Sequence, residues 1–165
     1  MKLTFATATE SDAPALNDLH AAVSGDLTRR YGPGGWSTAG RVRSALFDTK
    51  FTRTVIALSG TTIVGTLHLQ TKKPWAIDIA YFTPVERALY LTSMAVAPGL
   101  QRQGIGGALM VEATKQAKAW PADALRLDAF DAAAGAGGFY TKCGFSERGH
   151  VIYRHAPLAY FEMLF

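Results

Sequence analysis

The chain has one cysteine, Cys143, in 165 residues, so an internal disulfide is excluded and burial of apolar surface has to hold the fold, as a reducing cytoplasm requires. It lacks any run approaching the ~20 apolar residues that a bilayer-spanning helix needs. Glu10 and Asp12 also interrupt the N-terminus before the apolar block of a secretion signal could form. A soluble, cytoplasmic protein with no membrane contact is expected. The four histidines, His20, His68, His150 and His155, are scattered outside any zinc-binding spacing, so no metal is expected. Repeats, low-complexity tracts and long linkers are missing too, which makes one domain over residues 1–165 the simplest organisation. Acidic residues are the scarcer charge: 13 Asp and Glu against 17 Lys and Arg leave a net +4. That excess is too mild to demand nucleic acid and suits a small polyanionic ligand equally well. Apolar residues, at 48%, are plentiful enough to exclude a disordered chain.

Hydrophobic periodicity orders the elements. Met1 to Ala8 alternates as a first strand; Ser11-Asp12, Pro14 and the spacing of Leu16, Leu19 and Val23 then predict a helix. Gly32-Pro33-Gly34-Gly35 is a loop, followed by a short predicted helix from Ala39 to Phe47. Thr54–Leu58 and Thr62–Gln70 are β-branched runs split by Ser59-Gly60, a hairpin signal. Lys72-Lys73-Pro74 marks a loop before a strand at Leu89–Ala97. Gly104 to Trp120 is amphipathic with Leu109, Met110, Ala113 and Ala117 on one face, and Pro121 stops it. Ala124–Phe130 reads as strand, Gly135–Cys143 as a short helix ended by Gly144, and Phe145–Arg154 and Leu158–Leu164 as two closing strands. Two N-terminal helices followed by this order imply an α/β architecture of the α+β kind, with a mixed sheet flanked by helices.

The densest chemical signal is Pro98-Gly99-Leu100-Gln101-Arg102-Gln103-Gly104-Ile105-Gly106-Gly107, between a strand and an amphipathic helix. Glycines let a ligand approach the backbone, and the free amides of a helix N-terminus carry the positive end of the macrodipole, so the turn suits phosphate. A Walker A reading fails because Ile105 and Gly106 stand where Lys and Ser or Thr are needed. A dinucleotide fingerprint fails at its third glycine, where Leu109 stands.

Gln101-Arg102-Gln103-Gly104-Ile105-Gly106, following Leu91-Thr92-Ser93-Met94-Ala95-Val96-Ala97-Pro98, resembles the acyl-CoA-binding motif of the GCN5-related N-acetyltransferase (GNAT) family. Leu125-Arg126-Leu127-Asp128-Ala129-Phe130 through Phe139-Tyr140-Thr141-Lys142-Cys143-Gly144-Phe145 is similar to the family's second motif. The resemblance implies a single acyl-CoA N-acyltransferase domain with a mostly antiparallel central sheet, splayed between its fourth and fifth strands. It implies acetyl-CoA as cofactor, with the pantetheine arm on the backbone of Met94, Ala95 and Val96 and the Met94 amide acting as an oxyanion donor. The segment Gln101, Arg102, Gln103, Gly104, Ile105, Gly106 and Gly107 would hold the pyrophosphate, Arg102 adding charge. For the side chains of Arg102 and Gln103 a solvated turn face is the other reading. Tyr140 matches the tyrosine that protonates the departing thiolate in many relatives; without the resemblance, Phe139-Tyr140 reads as a packing stripe.

Two positions depart from the family pattern. Ala133 stands where an asparagine often contacts the cofactor, so that contact is absent or supplied by Asp131. The strand before the loop carries no carboxylate in Tyr90-Leu91-Thr92-Ser93, leaving Glu86, Asp78 or a water ordered by Ser93 as the base. Acceptor pockets in the family involve the first helical region and the loop between the middle strands. These place Tyr31, Trp36, Trp75, Asp78 and Tyr81 as candidates, the rings caging a cation or stacking and Asp78 holding an amine; rings plugging the core beneath long loops is the alternative. The expected reaction moves acetyl to a primary amine of a small molecule, amino acid or peptide. A non-catalytic acyl-CoA sensor or interaction module is the alternative. Cys143 lacks a His-Asp partner pattern and reads as a packing residue. The apolar Tyr160–Phe165 segment would permit a homodimer through C-terminal strands, and is equally a closing strand.

Overall fold

The computed structural model describes residues 1–38 and 47–165, so the helix expected at Ala39–Phe47 lies, but for its last residue, outside the described residues. Seven strands form one sheet in the order β1-β2-β3-β4-β5-β7-β6, with ranges Thr4–Thr7, Thr52–Ser59, Thr62–Gln70, Ala88–Val96, Ala124–Phe130, Ser146–Tyr153 and Ala156–Leu164 for β1 to β7. Every pairing is antiparallel except β4 with β5. Among the described residues three α-helices accompany the sheet: α1 (Ala13–Tyr31), α2 (Ile105–Ala119) and α3 (Gly137–Lys142). Among the described residues, no helix is long and apolar enough to cross a membrane.

Local chemistry sets the element boundaries. The Thr9 N–H donates to Asp12 Oδ2 at 2.8 Å in a short turn, and α1 follows with Asp12 at its N-cap and Pro14 in its first turn, where the sequence places them. Gly32 then ends the helix at φ 79°. β1 is shorter than the alternation of Met1 to Ala8 implies, because only Thr4–Thr7 find partners on β2. The turn between β6 and β7 is Arg154-His155, both left-handed at φ 47° and 68°. A two-residue hairpin demands that conformation, and without Gly or Asn there the sequence gives no sign of it.

The larger core lies between the sheet and α2 with α3: Leu67, Leu69, Leu91, Leu125, Leu127 and Phe161 pack against Ile105, Leu109 and Tyr140. α2 sits close because Gly65 offers no side chain; a Cβ there would stand 2.8 Å from Leu109 Cδ1. On the other face, reached by strand alternation, Leu16 of α1 packs with Ile56, and Tyr90 and Tyr160 pack under Ile77 and Phe82. There Arg126 is buried 2.9 Å from Glu162, covered by the Phe82 ring 5.0 Å from its guanidinium, and tied to the Thr83 carbonyl. Buried charge is tolerated here because each polar group has a partner. β7 runs inside the sheet between β5 and β6, so it has no open edge on which a second copy could add a strand; the edges belong to β1 and β6.

Candidate active site

β4 and β5 pair only through Ala88–Tyr90 with Ala124–Arg126, and beyond that point they diverge. On its other side, β4 changes register against β3 between Thr66↔Ala95 and His68↔Thr92, so Ser93 and Met94 together oppose Leu67 and have no ladder partners. This is a β-bulge, and Ser93 carries it at φ 53°, a conformation that costs a non-glycine residue. Divergence and bulge coincide, leaving backbone polar groups around Met94 available to a ligand.

The chain then turns through Pro98–Leu100 into a loop with Arg102 at φ 62° and Gly104 at φ 86°. The first helical hydrogen bond of α2 runs from Ala108 N–H to the Gly104 carbonyl at 3.0 Å. The N–H groups of Ile105, Gly106 and Gly107 therefore have no acceptor in the helix, at its positive end. Two glycines are needed for specific reasons. Gly104 takes a left-handed conformation, while a Cβ on Gly106 would press to 3.2 Å of the Phe139 ring on α3.

Bulge, loop and α3 enclose a cleft of about 610 Å³. Met94, Ala95, Val96, Gln101, Arg102, Gly104, Gly106, Gly107 and Tyr140 all line it, bringing together most of the residues singled out for the cofactor. Three of the expected side chains serve the protein itself. Gln101 Nε2 donates to the Val96 carbonyl at 3.2 Å and Gln103 Nε2 to Gly99 at 3.4 Å, both bracing the loop, while Ile105 is buried and offers only its amide. The Arg102 side chain is exposed.

Tyr140 is buried, edge-on to Phe139 and Phe145, with its hydroxyl donating to Met94 Sδ at 3.8 Å. Burial, followed by the negative charge of Asp128 and then Cys143, pushes its pKa well above that of a free tyrosine. The phenol is thus a fixed hydrogen-bond donor that holds its proton firmly. Burial also raises the Cys143 thiol, which disfavours the nucleophilic thiolate and agrees with a packing role.

Asp131 is displaced from the cofactor contact expected of it. Its N–H binds the Pro157 carbonyl and its carboxylate lies 2.8 Å from His150 Nδ1, turning it toward the β6–β7 hairpin; Ala133, Ala134, Gly135 and Ala136 line the cleft instead. Glu86 is likewise misplaced as a base. It is exposed just before β4, at the end where β4 and β5 still pair, and the strand from Ala88 to Met94 separates it from the bulge by roughly 20 Å.

Of the acceptor candidates, Tyr31 lines the cleft, and Trp36 stands edge-on to Phe130 at 5.5 Å with its indole N–H on the Gly32 carbonyl. Trp36, Trp75, Asp78 and Tyr81 all lie outside the cleft lining. Trp75 is 83% exposed, Asp78 caps a turn by accepting the Ala80 N–H, and Tyr81 packs edge-on to Tyr160. Val23, Leu27 and Arg30 form a cleft wall that periodicity alone assigns to an ordinary helix face. Only the closure of α1 over the splay distinguishes them.

The fold is shared with many solved acetyltransferases. PaiA N-acetyltransferase from Thermoplasma acidophilum, solved in complex with coenzyme A, matches with a TM-score of 0.72 at 16% identity over 100% of both chains. Ribosomal-protein-S18-alanine N-acetyltransferase from Escherichia coli matches at 0.70 and 15% identity, over 99% of this chain and 94% of that one. An acetyltransferase from Bacillus subtilis, also in complex with CoA, matches at 0.65 and 17% identity over 99% of both. No curated protein sequence matches. The model of the acetyltransferase (GNAT) family matches residues 24–145, a span that takes in the bulge, the loop and Tyr140. By that match, and with the sheet splayed where the family's architecture requires, the chain belongs to the GNAT family of acetyltransferases.

Proposed function

We propose that the protein transfers the acetyl group of acetyl-CoA to a primary amine of a small molecule, amino acid or peptide, by direct attack with both substrates bound. The observation that carries this reading is the coincidence, in one cleft, of an unpaired bulge at Ser93 and Met94, a row of free amides at the start of α2, and the Tyr140 hydroxyl. The cleft fits the cofactor: Gly106 keeps open a space that any side chain would narrow, and the loop presents N–H donors at a helix N-terminus.

When bound, acetyl-CoA supplies an acetyl group activated as a thioester. The amides of Ile105, Gly106 and Gly107 bind the pyrophosphate, with the exposed Arg102 adding positive charge. The backbone of Met94–Val96 replaces its missing strand partner with the pantetheine arm. Met94 N–H steadies negative charge building on the carbonyl oxygen as the amine adds. Tyr140 O–H donates to the departing sulfur. Because burial makes this phenol a reluctant acid, its main contribution is a hydrogen bond held ready for the thiolate. Tyr31, with Val23, Leu27 and Arg30 of α1, bounds the acceptor side. Trp75, Asp78 and Tyr81 are engaged elsewhere, Trp75 in solvent, Asp78 as a turn cap and Tyr81 against Tyr160, and do not retain that role.

The test is calorimetric titration with acetyl-CoA joined to a thiol-release assay with primary amines. The expected result is a dissociation constant of about 1 µM, about −8 kcal/mol, together with amine-dependent release. Binding without release under any amine would favour an acyl-CoA sensor, and no binding by folded protein would overturn both readings.

A further inference from the structure

We propose that Asp128 receives the acceptor: its carboxylate holds the amine's ammonium group and takes the proton that the nitrogen must lose before it attacks. The inference rests on the acetyl-transfer reading above and supplies the base that Glu86, at the far end of β4, does not.

Asp128 stands on β5 just past Arg126, the last residue of that strand to pair with β4. Along β5, Leu125 and Leu127 point into the core shared with α2, so Arg126, Asp128 and Phe130 point to the opposite face. Arg126 is neutralised by Glu162 and Phe130 is met by Trp36. Asp128, between them, makes no hydrogen bond or ion pair with another side chain among the described residues, although it is half-buried. A half-buried carboxylate without a cation is unfavourable for folding, and an ammonium guest is the complement that the described residues do not supply.

The splay gives this carboxylate access to the chemistry. Where β4 has parted from β5 the sheet is open, so a group approaching from the Asp128 face can meet a thioester seated at the bulge. The charge of Asp128 is felt by Tyr140 in the cleft and by Tyr160, its direct partner on β7, and raises both phenols. Burial lifts the carboxyl itself, which makes it a better proton acceptor than a surface aspartate.

The step balances as follows. The ammonium gives one proton to Asp128, and the freed lone pair attacks the carbonyl carbon. The C–N bond forms, the C–S bond breaks, and the sulfur leaves as a thiolate held by the Tyr140 hydrogen bond. The second nitrogen proton passes to that thiolate, and Asp128 releases its own to water. One amide, one thiol and one proton result.

The groups facing Asp128 define what its pH profile can report. They are Arg126 on β5, already paired with Glu162 of β7; Tyr160 on β7; and Tyr140 on α3. β4 presents uncharged Thr92 and Ser93. α1 contributes His20, kept neutral by burial at neutral pH, and Arg30, paired with Asp26. Asp128 is the described carboxylate among these that lacks a counter-ion.

Asp128→Asn and Asp128→Glu test the inference, with L-lysine, ethanolamine, glucosamine and aniline as probe acceptors in the thiol-release assay. In Asp128→Asn, acetyl-CoA affinity stays within twofold and Tm equals or exceeds that of the wild type. The rate constant kcat/KM for the alkylamines falls about 100-fold or more at pH 7 and recovers as pH rises and the amine loses its own proton. Aniline, already neutral, loses far less, and Asp128→Glu recovers part of the alkylamine rate. Alkylamine rates within threefold of wild type, equal losses for aniline and alkylamines, or a collapse in Tm would overturn the role of Asp128 while leaving acetyl transfer intact. A wild-type protein that binds acetyl-CoA but releases thiol with none of the four amines would overturn the transfer reading and Asp128 with it.

Discussion

The hydroxyl of Tyr140 lies 3.8 Å from the sulfur of Met94, joining α3 to the bulge of β4 across 46 residues of sequence. The contact sets a donor beside the strand whose backbone is free to bind a ligand. It follows from the ring packing of Tyr140 against Phe139, Phe145 and Phe161, which fixes the phenol independently of its hydroxyl.

That independence makes Tyr140→Phe a clean substitution. Acetyl-CoA affinity and Tm should stay close to wild type, while kcat falls about 100-fold, because the lost hydrogen bond strengthens only as negative charge reaches the sulfur. Steady-state kinetics beside a calorimetric titration would check this. A fall in affinity with unchanged kcat would mean that the hydroxyl serves binding alone.

Gly106→Val should remove cofactor binding without unfolding the chain. The new Cβ meets the Phe139 ring at 3.2 Å and its methyls project into the space between α2 and α3. The expected result is at least a tenfold loss in acetyl-CoA affinity, about 1.4 kcal/mol, with far-ultraviolet circular dichroism unchanged.

Glu162→Gln leaves Arg126 buried without its counter-charge, and the cost should be about 3–5 kcal/mol in urea denaturation. Replacing both residues by apolar side chains of similar volume should recover most of it. The hinge of that expectation is desolvation: a buried lone guanidinium is far more costly than a buried pair.

Two histidines give pH dependences of opposite sign. Burial depresses His68 to about 4, and its Nδ1 shares a hydrogen bond with Thr54 Oγ1 at 3.0 Å, so the fold holds it neutral. The unfolded chain takes up that proton below pH ~6.5, so stability is full above this value and falls toward pH 4, by about 3 kcal/mol in total. Contact with Asp131 first, and with Glu147, raises His150. Its contribution is full below pH ~6.5 and fades as pH climbs through its elevated folded value. Nuclear magnetic resonance titration of the rings should find His68 still neutral at pH 5 and His150 still charged above pH 6.5. His150→Gln should flatten the alkaline slope of Tm.

The strands, the two helices α1 and α2, the glycine loop and the position of Tyr140 were legible in the sequence. Each is written in local chemistry: alternation, apolar spacing, a cap, or glycines before an apolar helix face. The β6–β7 turn was not, because Arg154 and His155 adopt a left-handed conformation that pairing of the strands imposes and composition does not announce. Asp131 lies near the family's asparagine position and Glu86 just before β4, yet the hairpin and the length of β4 hold both away from the cleft.

The sequence by itself determined which segments are strand and helix, and that one loop suits phosphate, since these depend on near neighbours. Where β4 leaves β5, which wall α1 contributes, and that Asp128 has no cation beside it among the described residues depend on contacts between distant segments. Such contacts are settled only when the sheet closes, because desolvation and charge pairing belong to the assembled environment of a residue rather than to its place in the chain.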